Sequence, residues 1–297
     1  MKKQWVGSVM LLLASMIWGA AFVAQTQAME LMPPFAFQAS RFFLGGLVLL
    51  PVIAIADKKS ISKQPQSRKD KAYQLRCGII CGLILFAACS PQQIGLMLDL
   101  PAGKSGFITS LYIILVPIFG LFFKKKVQPW VWVSIALALL GLYMLCGMGT
   151  FSMSPGEGLT LICAIAFSFH IMFIDHVGNS VDGIRMSCTQ FMTAGAISLI
   201  IALILEEPSW SSLAACWLPI AYTGVFSSGV AYTLQILGQA RTEPTTASLL
   251  MSLEAVFSAL FGWLIIDQQL SLLELGGCAL VFAGVIIAQL PGKEKFT

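Results

Sequence analysis

The chain has 297 residues, of which 57% are hydrophobic and only 11% are charged, and its mean hydropathy is +0.84. A soluble domain of this size could not bury so much apolar surface, and a disordered chain would be polar and highly charged, so both classes are excluded. The 18 basic and 14 acidic residues are too few and too scattered for a nucleic-acid-binding protein. The composition therefore predicts a protein that crosses a lipid bilayer many times.

Ten apolar stretches are long enough to cross a bilayer as helices, since a span needs about 20 residues. We predict spans at 6–28, 34–56, 75–97, 102–123, 129–149, 156–177, 184–205, 213–236, 244–266 and 271–290. The fold is therefore expected to be all-α. The apolar run after Lys2 and Lys3 is longer than that of a signal peptide, so we interpret it as the first span. Pro91, Pro117 and Pro219 are expected to interrupt spans 3, 4 and 8.

Basic residues gather on one side of these spans. With a cytoplasmic N-terminus, 16 of the 18 lysines and arginines flank cytoplasmic span ends, most of them in the 57–76 connector and at Lys124, Lys125 and Lys126. Only Lys104 falls near the other face, and Arg41 lies inside span 2. Positive residues in short loops stay in the cytoplasm, so both termini are predicted to be cytoplasmic.

The two halves of the chain repeat each other. An offset of 149 residues aligns spans 1 and 2 with spans 6 and 7, and an offset of 142 aligns spans 3–5 with spans 8–10. Matched pairs include Trp18 with Phe167, Arg41 with Gln190, Gln93 with Gln235, and Ser110 with Ser252. We expect two domains, 1–150 and 151–297, each of five spans. Because five is odd, the second domain enters the membrane from the opposite side, as in many secondary transporters.

The cationic segment that follows span 4 supports this inversion. The segment after span 4 is Lys124, Lys125 and Lys126, whereas the equivalent segment after span 9 is Asp267, Gln268 and Gln269, which has no positive charge. An outward-facing copy is expected to lose such cations.

Three motifs resemble the EamA-type members of the drug/metabolite transporter superfamily. They are ASMIWGAAFV at 14–23 with ASRF at 39–42, AGKSGFITSLYIILVPIFG at 102–120, and TTASLLMSLEAVFSALFGWL at 245–264. The resemblance covers essentially the whole chain. It implies an exporter-type carrier of small metabolites in a bacterial inner membrane.

Ionisable side chains inside a bilayer are costly and are functional candidates by default. Glu254 lies near the middle of span 9 and could carry the proton of a proton-coupled carrier, or could bind neighbouring helix donors. Arg41 could bind an anion or clamp loop carbonyls, and Lys104 could meet a substrate carboxylate or reach the outer interface. His170 could relay protons or make one satisfied polar contact.

Neutral polar and aromatic side chains are expected to line the substrate path. Ser105, Thr109 and Tyr112 share one helical face, and Ser248 and Ser252 lie on the same span as Glu254. Some of these hydroxyls could instead form hydrogen bonds between neighbouring helices. The remaining candidates are Trp18, Gln25, Gln92, Gln93, Phe167, Tyr232 and Gln235.

We therefore predict a secondary-active carrier and not an enzyme, because the chain lacks the motifs of an ATPase, a zinc site or a nucleophilic hydrolase. The expected partners are a small-molecule substrate, such as an amino acid or a related organic solute, and the lipid bilayer. No cofactor, metal or nucleic acid is expected. The sequence leaves open whether the chain forms a homodimer. The alternatives are a membrane-embedded enzyme acting on lipids or isoprenoids, and a channel-like or accessory protein.

Overall fold

The computed structural model describes residues 2–58, 67–124, 127–145, 154–266 and 271–288. Within these ranges every regular element is a helix. The cationic residues Lys59, Lys63, Lys125, Lys126, Lys293 and Lys295, and residues 267–269, lie outside the described ranges.

The helices follow one another with short connections. They are α1 (Lys2–Leu31), α2 (Pro34–Lys58), α3 (Arg68–Met97), α4 (Ala102–Thr109), α5 (Tyr112–Phe122), α6 (Pro129–Leu145), α7 (Pro155–Val177), α8 (Gly183–Leu205), α9 (Trp210–Ala215), α10 (Trp217–Ala221), the π-helix π1 (Tyr222–Tyr232), α11 (Thr233–Gln239), α12 (Pro244–Met251), α13 (Leu253–Ile266) and α14 (Leu272–Ala288). Seven helical stretches are long and apolar enough to cross a membrane, and α6 and α14 are shorter apolar helices of 17 residues. The expected all-helical, multi-pass architecture is therefore present.

Short connections make successive spans run in opposite directions, which separates two faces of the bundle. The basic face carries Lys58, Arg68, Lys124, Arg185 and Arg241. The opposite face carries Glu30, Asp99, Glu157, Glu206 and Glu274.

The helix pairs that pack most extensively join the two halves of the chain. They are α2 with α8 and π1, α3 with α7 and α8, α1 with α13 and π1, and α6 with α14. The α6–α14 contact depends on Gly141 and Gly277, since a Cβ on either glycine would lie 2.5 Å from the other's carbonyl oxygen. Gly78 and Gly82, whose spacing predicts a close contact, pack against α8 at Thr189 and Gln190.

Matched acids fasten α2 and α8 at both faces. On the basic face, the Asp57 carboxylate at the end of α2 accepts two hydrogen bonds of 2.6 and 2.5 Å from the Arg185 guanidinium at the start of α8. On the opposite face, Glu206 at the end of α8 accepts hydrogen bonds from the backbone N–H groups of Phe35 and Ala36 at the start of α2. Asp57 and Glu206 are separated by 149 residues, which is the repeat offset.

Two expectations about helix interruptions are wrong. Helix α3 runs without a break through Pro91, and Pro117 lies within α5. Spans 4 and 9 are instead broken at Ser110–Leu111 and at Ser252, which are matched positions at the 142-residue offset. The expected interruption near Pro219 is present, because span 8 consists of α9, α10, π1 and α11.

Candidate functional site

A central cavity lies between the two halves of the bundle. The space among its lining residues is about 460 Å³ when its solvent-open mouth is included. Spans from both halves contribute its walls. The lining residues are Trp18, Phe22, Gln25, Arg41, Gln92, Thr109, Tyr112, Phe167, Ile171, Ser227, Tyr232, Gln235, Met251 and Glu254.

The two broken spans meet at this cavity. Tyr112 is the first residue of α5, and Glu254 is the second residue of α13. The Tyr112 hydroxyl donates a 2.9 Å hydrogen bond to Oε1 of Glu254. The two residues are matched at the 142-residue offset, so equivalent positions of the two halves touch one another at the centre of the molecule.

Arg41 is the cationic side chain of the cavity lining. It is 3% exposed, and its NH1 group donates a 2.7 Å hydrogen bond to Oε1 of Gln25. Its guanidinium carbon lies 4.7 Å from the ring centre of Phe42 and 5.6 Å from that of Phe37. Among the described residues its Nε and NH2 groups have no hydrogen-bond partner.

Aromatic rings form one side of the cavity. The rings of Trp18 and Tyr232 lie 4.9 Å apart, edge to face. The Trp18 indole N–H donates a 3.3 Å hydrogen bond to the backbone carbonyl of Ser227 in π1. Tyr232 also packs against Phe191 of α8. These contacts hold α1 against the π-helical segment, a type of element that is common at functional sites.

Amide side chains supply uncharged hydrogen-bonding groups to the same space. Gln92 donates a 3.0 Å hydrogen bond to the Thr109 hydroxyl, which links α3 to α4. The Oε1 atom of Gln235 has no partner among the described residues. The cavity therefore combines apolar walls with a few polar groups, as small-molecule sites usually do.

His170 lies outside the cavity lining, in a buried cluster with Cys81 and Gln190. Its Nε2 is 3.1 Å from Oε1 of Gln190 and 3.3 Å from Sγ of Cys81. The Cys81 thiol donates a 3.0 Å hydrogen bond to the same Gln190 oxygen. The cluster joins α3, α7 and α8. Among the described residues, no group of three or more His, Cys, Asp or Glu side chains is placed to hold a metal ion.

The structure brings together ten of the sixteen residues proposed from the sequence. Those that line the cavity are Trp18, Gln25, Arg41, Gln92, Thr109, Tyr112, Phe167, Tyr232, Gln235 and Glu254. The six that do not line it are Gln93, Lys104, Ser105, His170, Ser248 and Ser252. Sequence analysis missed Phe22, Ile171, Ser227 and Met251. Three of these are apolar, and nothing in the sequence distinguishes them from residues that face lipid or core.

Lys104 makes a contact that the sequence did not indicate. Its ammonium group forms an ion pair with the Glu157 carboxylate on the opposite face, which joins the start of α4 to the start of α7. Glu157 also closes a capping box, because its carboxylate accepts a 2.6 Å hydrogen bond from the N–H of Ser154. Nearby, α3 and α7 touch at Gly95 and Gly156, where a Cβ on Gly95 would lie 3.0 Å from the Gly156 carbonyl.

The basic face has a second and wider opening. It occupies about 1290 Å³ including its open mouth. It lies among the ends of α5 and α7 and the α11–α12 connection. The charged residues at its edge are Asp175, Arg241 and Glu243. The opening on the basic face is therefore wider than the central cavity, and the Lys104–Glu157 ion pair lies on the opposite face.

Comparison with known proteins identifies the family. The sequence model of the EamA-like transporter family matches residues 5–147 and again 154–289. The chain belongs to the EamA-like transporter family. An uncharacterized transporter of Archaeoglobus fulgidus is 29% identical over 281 residues, which cover 94% of this chain and 84% of that protein. The uncharacterized transporter YoaV of Bacillus subtilis is 23% identical over 92% of this chain and 93% of its own length.

A crystal structure of another protein has a similar fold. It superposes with a TM-score of 0.77 over 96% of both chains, at 22% sequence identity. The family and the apolar helices together make this chain a multi-pass membrane transporter of the drug/metabolite type.

Proposed function

We propose that this transporter is a secondary carrier that exports small organic metabolites by alternating access, with ten spans arranged as two inverted five-helix halves. The observation that carries the proposal is the Tyr112–Glu254 contact. It joins matched residues of the two halves at a cavity to which both halves contribute. In inverted-repeat transporters, substrate sites lie near the midplane between the repeats, on broken helices.

The pattern of helix contacts supports the same division at 1–150 and 151–297. Matched spans pack against each other in α2–α8 and in α6–α14. Phe42 and Phe191, matched at the 149-residue offset, also stack with ring centres 5.8 Å apart. A two-fold axis through the cavity would place each of these pairs face to face.

The two faces favour an inward-open form of this carrier. The basic face is cytoplasmic by the positive-inside rule, which puts both termini in the cytoplasm of a bacterial inner membrane. The large opening then faces the cytoplasm, from which an exporter takes its substrate. The Lys104–Glu157 ion pair closes the outer side. Reporter fusions to the C-terminus that are active only in the cytoplasm would support this orientation, and periplasmic activity would contradict it.

Flux into proteoliposomes tests the carrier. Purified protein is reconstituted and challenged with labelled amino acids, nucleosides, amines and polyols. We expect saturable uptake or efflux of at least one of these solutes. The absence of saturable flux for every class would contradict the proposal.

Proton coupling is assigned to Glu254, which is buried in the cavity lining. The Glu254→Gln variant keeps an oxygen that can accept the Tyr112 hydrogen bond but cannot gain or lose a proton at neutral pH. We expect it to exchange substrate down a gradient and to lose the acceleration that an imposed pH gradient gives the wild type. The matched control is Glu207→Gln, an exposed carboxyl on the opposite face, which should keep that acceleration. Acceleration that persists in Glu254→Gln would remove Glu254 from the coupling step and leave the carrier in place.

A further inference from the structure

We propose that Arg41 is the anion subsite of the central cavity and that it binds a carboxylate group of the transported molecule. The inference rests on the proposed function, because it names the chemical class of the substrate. It follows from one imbalance in the cavity: a buried guanidinium has unused donors and no acidic partner.

The hydrogen bonds of Arg41 leave one side of the guanidinium unsatisfied. Gln25 takes a single hydrogen bond from NH1, while Nε and NH2 have no partner among the described residues. Nε and NH2 are adjacent groups on one edge of the guanidinium plane. Two parallel N–H donors in that arrangement match the two oxygens of a carboxylate. Buried donors without partners are rare in folded proteins, so an unpaired edge in a cavity wall indicates a ligand.

The charge of Arg41 is also unpaired. No carboxylate of the described residues lies within ion-pair distance of its guanidinium, whereas Lys104 and Arg185 each have an acidic partner. The acid that shares the cavity, Glu254, accepts its hydrogen bond from Tyr112 instead. A buried cation is costly unless it is paired, and a substrate carboxylate would provide the missing charge.

The matched position of the second half shows that the helix pair does not need a cation here. Gln190 of α8 stands at the 149-residue offset from Arg41, and this neutral residue is buried with Cys81 and His170. The neighbouring residues Phe42 and Phe191, one from each half, stack on each other. The packing of α2 and α8 therefore accepts an uncharged residue at this register, and the positive charge of Arg41 serves the cavity.

The chemistry of the other lining residues suits the remainder of such a molecule. Trp18, Tyr232 and Phe167 offer ring surfaces to an apolar portion. The Gln92 and Gln235 amides can bind a hydroxyl, an amine or a carbonyl. The substrate class is accordingly a small organic acid with an apolar portion, with amino acids and hydroxy acids as members.

Ligand-dependent thermal unfolding of the purified, full-length protein tests the subsite without a transport assay. The ligands are amino, hydroxy and keto acids with aromatic or branched side chains, each paired with its primary amide. We expect at least one acid to raise the unfolding temperature in a saturable manner while its amide has no effect. The subsite is overturned if no acid stabilises the protein, or if acids and amides stabilise it equally.

Two variants assign the effect to the Arg41 guanidinium. Arg41→Gln should weaken acid binding about ten- to hundredfold, the size expected for a lost pair of charge-assisted hydrogen bonds. Gln25→Glu keeps Arg41 and adds a carboxylate beside it, so it should abolish acid binding even if Arg41→Gln fails to fold. Arg68→Gln, an exposed arginine on the basic face, is the control and should bind like the wild type. Acid binding that survives in Gln25→Glu and in folded Arg41→Gln would overturn the subsite.

Transport separates this inference from the proposed function. If reconstituted protein carries only neutral solutes or amines in a saturable manner, the carrier stands and the carboxylate subsite is wrong. If acids bind through Arg41 but no solute crosses the membrane, the subsite stands and the carrier is wrong. An inorganic phosphate or sulfate effect larger than that of every carboxylate would assign Arg41 to tetrahedral anions and overturn the carboxylate assignment.

Discussion

The two faces of the bundle are built from matched residues, but only the opposite face has an ion pair at these positions. On the opposite face, Lys104 of α4 and Glu157 of α7 form an ion pair. The matched positions on the basic face are Thr246 of α12 and Ser8 of α1, which are neutral and buried. Helices α1 and α12 still pack together there, but without opposite charges. A repeat can therefore preserve the helix arrangement while only one of its two faces has an ion pair between the matched helices.

Cross-linking each face in turn should have the largest effect on transport. Lys104→Cys/Glu157→Cys and Ser8→Cys/Thr246→Cys each place a thiol pair across one face. With a short bifunctional thiol reagent, we expect the first pair to react without substrate and the second to react mainly during turnover. Either cross-link should reduce flux by about tenfold or more, because each prevents the face from opening. The measurement is flux before and after reduction of the cross-link.

Matched single-cysteine variants control for modification without cross-linking, and they should keep their flux. The seven cysteines of the described residues are all buried, which limits background reaction. Faster reaction at Ser8/Thr246 than at Lys104/Glu157 in the absence of substrate would reverse the proposed resting state.

Removing one charge should have a moderate effect. Glu157→Gln keeps the capping-box geometry, because glutamine also accepts the Ser154 hydrogen bond, but it removes the ion pair with Lys104. The Lys104 side chain is 40% exposed, so the pair should be worth only about 0.2–1 kcal/mol. We expect at most about a fivefold shift toward opening of the opposite face. It can be followed by the labelling rate of Gln92→Cys with an impermeant maleimide added at that face.

Glu274→Gln is the natural comparison for this variant. Glu274 makes the same kind of capping box with Ser271 at the start of α14 and is partly exposed. It should leave the labelling rate unchanged. Equal rates for Glu157→Gln and wild type would mean that the ion pair does not bias the two faces.

The smallest effect is expected where the two faces are most alike. Asp57 and Glu206 fasten the ends of α2 and α8 at both faces. Asp57→Asn weakens a partly exposed ion pair and should cost about 1 kcal/mol or less in unfolding free energy. Glu206→Gln weakens the cap of α2 by about 1 kcal/mol. Neither variant should change which face is open, and thermal unfolding together with the maleimide assay would detect a departure from that result.

The sequence predicted the helices better than their interruptions. Most predicted span ends agree with the structure to within about three residues, because the apolar runs that fill a bilayer also set helix length. Helix α3 begins at Arg68 rather than at 75, since the capping box of Ser67 and Asp70 starts the helix in a polar segment. No proline or glycine lies at the breaks at Ser110–Leu111 and Ser252. The residue types at these positions therefore do not indicate a break, which we attribute to tertiary packing.

The polar residues of the candidate site could be predicted from the sequence, whereas its apolar lining residues could not. Arg41, Glu254, the glutamines and the tyrosines stand out because polar groups are costly in a bilayer. Phe22, Ile171 and Met251 have ordinary apolar side chains, so only the folded arrangement places them at the cavity. The Lys104–Glu157 pair joins residues 53 positions apart on different spans, and no local spacing rule connects them.

The hydrogen bond between Trp18 and the π-helix makes Trp18 fluorescence a probe of the cavity. An indole emits at a wavelength and intensity that depend on the polarity and hydrogen bonding around it. The Trp18 ring borders the cavity, and its N–H is held by the Ser227 carbonyl. A molecule that binds against this ring or breaks that hydrogen bond should change the emission of Trp18. Binding in the cavity could then be followed by intrinsic fluorescence, without an attached label.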